Sequence, residues 1–257
     1  MTATDAILDP RTTLARADLA ELGLEGIVRA GAYRPLAAMR CTAPVSDIRD
    51  DAGVVVDQLI FGEAFDVLEQ QQDRAWGRAR RDGVVGWVAR SALVEGAPLA
   101  RARVASVTAA LPLNALVVEE AGADLAPVGR FETDPVAVAE RLLGVPHEPG
   151  ARTSKSTDCC GLVQQALYAC GRAAPRYADQ QAELGRAVAR EDARRGDLVV
   201  WPHADLGPWN GHSAFLLDDG RVLHATGHHG AVVIEALAEA EARYAADGFE
   251  GPVFRRL

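Results

Sequence analysis

The 257-residue chain is 49% apolar and 25% charged, with a formal net charge of −9. Such a balance suits an ordinary globular protein long enough for two domains, and the negative charge argues against a nucleic-acid backbone or an anionic membrane as partner. No run of about 18 apolar residues is available to span a bilayer. Cys41, Cys159, Cys160 and Cys170 make no disulfide framework, since two are adjacent and no CxxC occurs. Met1–Gly26 lacks an apolar signal-type region, so the expected compartment is the reducing cytoplasm.

Residues 1–42 carry short apolar patches around Leu19, Leu22, Ile27 and Val28 and read as an N-terminal arm with a helix, then an extended stretch. Residues 43–96 change to strand patterns punctuated by glycine turns, at Asp51-Ala52-Gly53 and Arg81-Asp82-Gly83 among others. Short strands of this kind within about 55 residues suggest a small barrel. Gly62-Glu63 before a strand, Trp76-Gly77, and Asp82-Gly83 leading to Val85-Gly86-Trp87-Val88 together resemble a bacterial SH3-like domain. Trp76 and Trp87 are expected in its core or groove. Residues 97–133 hold a few more strand-like runs, broken by Pro98, Pro112 and Pro127, and read as a degenerate second barrel or a linker.

Residues 134–257 read as an α+β domain. Asp134-Pro135 supplies a cap and an N1 proline for a helix whose inner face is Val136, Ala139, Leu142 and Leu143. In a second helix, Leu162, Val163, Ala166, Leu167 and Cys170 recur at helical spacing from Cys159, with Asp158 as a candidate N-cap and Gly171 as a C′ glycine. Leu198–Trp201, His212–Leu217, Arg221–Ala225 and Val232–Glu235 read as strands, and a last helix runs through Leu237, Ala240 and Tyr244.

A thiol in the first turn of a helix lies among free N–H groups that favour the thiolate. Alone, Cys159 is as well explained as a small apolar core residue. All six histidines lie beyond Pro146, however, and a cysteine nucleophile needs a base that is itself oriented by a third polar group. With a three-residue loop at Asp218–Gly220, His224 falls on the face of His212 and diagonal to it; a two-residue loop puts them on opposite faces. Zinc would need spacings that this chain does not offer, and no cofactor is expected.

The second half also resembles an NlpC-type cysteine peptidase domain, which has a papain-like fold. The matching segments are Asp158-Cys159-Cys160-Gly161-Leu162-Val163-Gln164, Ala174-Pro175-Arg176 with Gln181, Arg195-Gly196-Asp197-Leu198-Val199, His212-Ser213-Ala214-Phe215 and Leu223-His224-Ala225. The resemblance implies Cys159 as nucleophile, His212 as base and acid, and His224 as orienter. It implies a small peptide substrate from peptidoglycan, cut between γ-D-glutamate and a diamino acid. Members with SH3-like domains read a free N-terminal amine through two carboxylates, which match Asp158 and Glu63 here. Asp158 can serve as N-cap as well, and Glu63 is equally well explained as a solvated turn residue.

Four features depart from the family pattern. His147 stands where a tyrosine would help form the oxyanion pocket, Cys160 replaces a serine, and Val84 replaces an aromatic on one wall of the cleft. The segment Pro202–Gly211 is longer than usual and is expected to cover or reshape the cleft. Two other readings fit the same sequence: a peptide-binding or regulatory protein on a peptidase fold, and an amidase or acyltransferase.

Overall fold

A computed structural model of the chain describes residues 8–96, 99–203 and 210–257. The segment before residue 37 forms an arm in which β1 (Ala20–Glu21) and β2 (Tyr33–Arg34) pair in parallel around a 3-10 turn at Leu22–Leu24. The described part of the arm contains no α-helix, contrary to the pattern-based expectation. Its Leu14 and Leu19 are instead spent on Trp76 and Trp87, against which they pack in one buried cluster.

Strands β3 (Ala37–Cys41), β4 (Val45–Arg49), β5 (Val55–Ile60), β6 (Ala64–Gln70), β7 (Arg74–Ala79), β8 (Val85–Ala89) and β9 (Leu93–Glu95) form one sheet in the order β5-β4-β8-β7-β6-β3-β9. The sheet therefore begins at Ala37, inside the segment read as arm, because β3 pairs with both β6 and β9. Met39, Ile48, Leu59, Phe65, Val67 and Val88 fill its interior. Gly77 is required by strand proximity: a Cβ there would lie 2.3 Å from the Asp66 carbonyl oxygen. Trp76 and Trp87 face the arm, where the Arg16 guanidinium sits 4.1 Å over the Trp76 ring.

The connection to the second half forms only β10 (Ala102–Val104), β11 (Leu116–Val117) and β12 (Leu125–Pro127), a patch of three very short antiparallel strands. Helix α1 (Pro135–Glu140) follows, its Asp134 carboxylate accepting from the Val136 amide at 2.9 Å and the Ala137 amide at 3.2 Å. Then come α2 (Cys159–Ala169), one-turn α3 (Ala178–Gln181), β13 (Arg186–Val188), β14 (Leu198–Pro202), β15 (Gly211–Leu216), β16 (Arg221–Thr226), β17 (Ala231–Ala236), α4 (Leu237–Ala246) and β18 (Val253–Arg256). The six strands form an antiparallel sheet in the order β13-β18-β14-β15-β16-β17. Period-two alternation gives the sheet two buried faces. Leu198, Val200, Phe215 and Leu223 pack with α1 and α2, while Val199, Trp201, Leu216 and Val222 pack with Ala240 and Tyr244 of α4.

Buried charge joins the barrel to this second half. Arg152, in the loop before α2, is fully buried; its Nε lies 2.9 Å from Asp57 of β5, and its Nη2 lies 2.6 Å from Glu63 after that strand. Arg176 brings its Nε to 3.0 Å from the same Asp57 oxygen and also pairs with Asp158 at the start of α2. Burial pushes the Asp57 carboxyl well above the ordinary range. Arg152 and Arg176 oppose that push, and Arg81, Arg152 and Arg176 together face Asp57, Glu63, Asp82 and Asp158 in one buried cluster. Removing one member leaves a buried charge without its partner. Arg152→Ala is therefore expected to lower the unfolding free energy by about 3–5 kcal/mol in urea denaturation. A loss below about 1 kcal/mol would show that the carboxylates find other partners.

Candidate active site

The nucleophile is placed by its cap. Asp158 has extended backbone geometry and accepts from the Gly161 amide at 2.8 Å, which starts α2 at Cys159. Its other oxygen accepts from the Gly150 amide at 2.9 Å, fixing the loop that carries Arg152. Gly161 must be small, since a Cβ there would meet the Ala151 carbonyl oxygen at 2.4 Å. Cys159 is left at the helix start, partly exposed, while the residues from Cys160 to Ala169 are buried. The amides of Cys159 and Cys160 have no acceptor among the described residues, as expected for the first turn of a helix.

Register decides where the histidines go. Phe215 pairs with Leu223 and Leu216 with Val222, which closes a three-residue loop and sets His224 diagonal to His212 on one face. Their rings meet edge to face, His212 Nε2 lying 2.7 Å from His224 Nδ1. The next strand extends the line: Val222 pairs with Glu235, whose Oε1 lies 2.7 Å from His224 Nε2. Arg243 of α4 and exposed His229 hold the same carboxylate. Tyr244 stacks on the His212 ring at 4.5 Å and fixes its plane.

Donor and acceptor logic assigns the tautomers. A carboxylate only accepts, so His224 carries its proton on Nε2, and its Nδ1 accepts from His212 Nε2–H. The nitrogen of His212 left for the thiol is Nδ1. Burial lowers the His224 pKa to about 4, and the Glu235 hydrogen bond only partly opposes this. His224 is thus neutral over the working range. The unfolded chain would bind that proton near 6.5, so the stability His224 contributes is complete above about 6.5 and is lost as the pH falls toward about 4.

The thiol itself is held well below its ordinary pKa. A hydrogen bond from Cys160 is the largest cause; burial opposes it, and the charge and hydrogen bond of His212 add to it. Cys160 moves the opposite way, pushed up by giving that hydrogen bond and by burial. Its Sγ lies 3.8 Å from Cys159 Sγ and 3.8 Å from Ser213 Oγ. The two sulfurs are thus pushed apart, Cys159 toward the thiolate and Cys160 toward the protonated thiol.

The structure places several sequence-selected residues differently. Glu63 is no solvated turn residue and no open amine ligand. It is buried, and both its oxygens are taken by Arg152, Arg81 at 2.8 Å and the Ile60 amide at 3.1 Å. Burial pushes its carboxyl up, but Arg152 and Arg81 outweigh that and hold it below the ordinary value. Asp158 is likewise filled by Arg176, Gly150 and Gly161. His147 does not join the cluster: its backbone pairs with Gly230 and Thr157, and its ring lies beside Gly227. Val84 is fully buried in the barrel core rather than walling a cleft. Residues 204–209 of the long Pro202–Gly211 segment lie outside the described residues.

Sequence reasoning missed Arg152, Glu235 and Tyr244. Glu235 could have been found by carrying the hairpin register one strand further, because alternation puts it on the histidine face. Nothing local marks Arg152, whose hydrogen-bonded carboxylates Glu63 and Asp57 are 89 and 95 residues away. Iodoacetamide should alkylate Cys159 rapidly even at about pH 6, with Cys160 unreactive, and His212→Ala should slow that reaction by at least about tenfold. Equal rates in the two proteins would show that the histidine does not sustain the thiolate.

Two family profiles match the chain: the NlpC/P60 family over residues 144–248 and the bacterial dipeptidyl-peptidase SH3 domain over residues 49–93. The peptidoglycan endopeptidase RipB of Mycobacterium tuberculosis is 36% identical over 84 residues, 32% of this chain and 33% of that protein. The gamma-D-glutamyl-L-lysine dipeptidyl-peptidase of Bacillus subtilis is 29% identical over 84 residues, 33% of this chain and 28% of that protein. The matches therefore span about a third of each relative. A crystal structure of an NlpC/P60 family protein from Bacillus cereus superposes with a TM-score of 0.70 at 14% identity, covering 86% of this chain and 99% of that one. The chain thus carries an NlpC/P60 domain over residues 144–248 and a bacterial dipeptidyl-peptidase SH3 domain over residues 49–93, in a papain-like fold with an N-terminal SH3-like domain.

Proposed function

We propose that this protein is a cysteine endopeptidase that hydrolyses the γ-D-glutamyl–diamino acid amide of free cell-wall stem peptides, acting in the cytoplasm on small fragments from wall turnover. The observation that carries the reading is the line from His212 through His224 to Glu235, with His212 helping to hold the Cys159 thiol below its ordinary pKa. It favours a working hydrolase over a binding protein that has kept only the fold. The bond assignment draws on the Bacillus subtilis relative, whose name specifies a γ-D-glutamyl-L-lysine link. Four free thiols suit a reducing compartment.

In this mechanism the Cys159 thiolate attacks the γ-carbonyl carbon. Charge developing on the carbonyl oxygen is received by the open first-turn amides of α2, a role that His147 is not positioned to take. His212 gives its Nδ1 proton to the leaving amine of the diamino acid, and a thioester remains. Neutral His212 then takes a proton from water, hydroxide adds to the thioester, and the thiolate leaves. His224 and Glu235 keep His212 in the tautomer that each step needs.

The filled carboxylates refine the substrate. Arg152 and Arg176 already occupy Glu63 and Asp158, so neither carboxylate is free to select an N-terminal ammonium. Cleavage is then tolerant of a blocked N-terminus, and this separates the proposal from a strictly free-amine enzyme. L-Ala-γ-D-Glu-diaminopimelate and its N-acetyl form should both release the diamino acid by mass spectrometry, with kcat/KM within about tenfold of each other. Cys159→Ala should abolish release, by on the order of 10⁴-fold or more. Turnover of the free-amine peptide alone would contradict the specificity, and no turnover of either would contradict the activity.

A further inference from the structure

An arginine in the middle of a buried strand needs a counter-charge. Arg103, the central residue of β10, is only 5% exposed. Its Nε and Nη1 have no hydrogen-bond partner among the described residues, and Nη2 reaches only the Arg130 carbonyl oxygen at 3.4 Å. The carboxylate that acts on it, Glu132, is itself paired with Arg141 at 3.1 Å. Burial lowers the Arg103 pKa from its ordinary value. A buried guanidinium left this way is costly, and the cost is relieved by an anion.

Space for that anion is present. Arg103 lines a cavity of about 300 Å³, within the range of small-ligand sites, whose wall also holds Arg81 and Arg172 and no acidic side chain. Arg81 keeps Glu63 on its Nε at 2.8 Å and lies 4.7 Å over the Tyr168 ring, so one edge of its guanidinium is already committed. Exposed Arg172 has no ion pair among the described residues and marks the side open to solvent. Asn114 adds a polar group of the other sense: its Nδ2 is tied to Gln165 at 2.8 Å, while its Oδ1 is buried and unpaired. Phe131 and Val128 supply an apolar wall.

We infer that this cavity binds a small molecule carrying an oxyanion, a carboxylate or a phosphate, on an apolar body, with the anion on Arg103 and Arg172. None of Cys159, His212 and His224 lines it. The cavity lies at the Tyr168–Gly171 end of α2 and Cys159 begins the other end, about 16 Å away along an 11-residue helix. It is therefore separate from the peptidase site. Arg81 is shared with Glu63, so an anion there also bears on the charge cluster between the two domains.

Calorimetric titration of the full chain with phenyl phosphate and with benzoate, at constant ionic strength, tests the site; benzyl alcohol is the neutral control. At least one anion is expected to bind 1:1 with a sub-millimolar Kd, and the tighter of the two identifies phosphate or carboxylate as the source. Arg172→Glu, on the surface, and Arg103→Met should each weaken binding at least about tenfold. The anion should raise the Tm of the unmodified chain and leave that of Arg103→Met unmoved. Absence of 1:1 binding by both anions, equal binding of benzyl alcohol, or wild-type affinity in Arg172→Glu would overturn the proposal. The last of these readouts stands even if Arg103→Met does not fold.

Discussion

The molecule depends on two buried guanidinium groups that share one aspartate. Arg152 and Arg176 come from the second half, Asp57 comes from the barrel, and the Nε of each arginine lies within 3.0 Å of the same Asp57 oxygen. From there the charge runs one way to Glu63 and the other way to Asp158, which caps the nucleophile helix. The barrel therefore acts on the site through the start of α2 rather than through a contact with the thiol. Hydrophobic packing alone would let the two domains slide; a buried cluster of paired charges fixes their register, because any shift strands a charge.

On that frame the reactive groups are set by ordinary secondary structure. Helix α2 offers a thiol and two open amides at its start, and a β-hairpin with a three-residue loop offers two histidines on one face. The third strand brings Glu235, and α4 brings Tyr244 as a lid on the His212 ring. Each group is held by an element that is also part of the core, which gives the geometry its rigidity. The neighbouring Cys160 fills the family serine position with a weaker donor, its Sγ standing 3.8 Å from that of the nucleophile.

Much of this was legible in the chain. The barrel strands, the Asp134 and Asp158 caps and the hairpin follow from period-two and helical patterns with glycine turns. What could not be read is long-range. The arm looked helical from isolated leucines, yet those leucines cover two tryptophans in two neighbouring strands far along the sequence. Glu63 looked available because its partner, Arg152, sits 89 residues away in a loop with no periodicity. His147 was aligned by position to a family tyrosine, whereas its backbone pairing to Gly230 and Thr157 turns the ring toward Gly227. Charge pairing across domains leaves no local pattern, which is why Glu63 was misread.

Hydrogen exchange at the Gly150 and Gly161 amides tests the role of the charge cluster most directly. Both donate to Asp158, the end of the chain of pairs that starts in the barrel. Replacing Asp57 by leucine cuts that chain in the barrel without touching Asp158 or α2. If the barrel positions the nucleophile helix through Asp57, exchange at both glycines accelerates by about tenfold or more while the centre of the six-stranded sheet keeps its protection. Unchanged protection at the two glycines, with loss confined to the barrel strands, would contradict it.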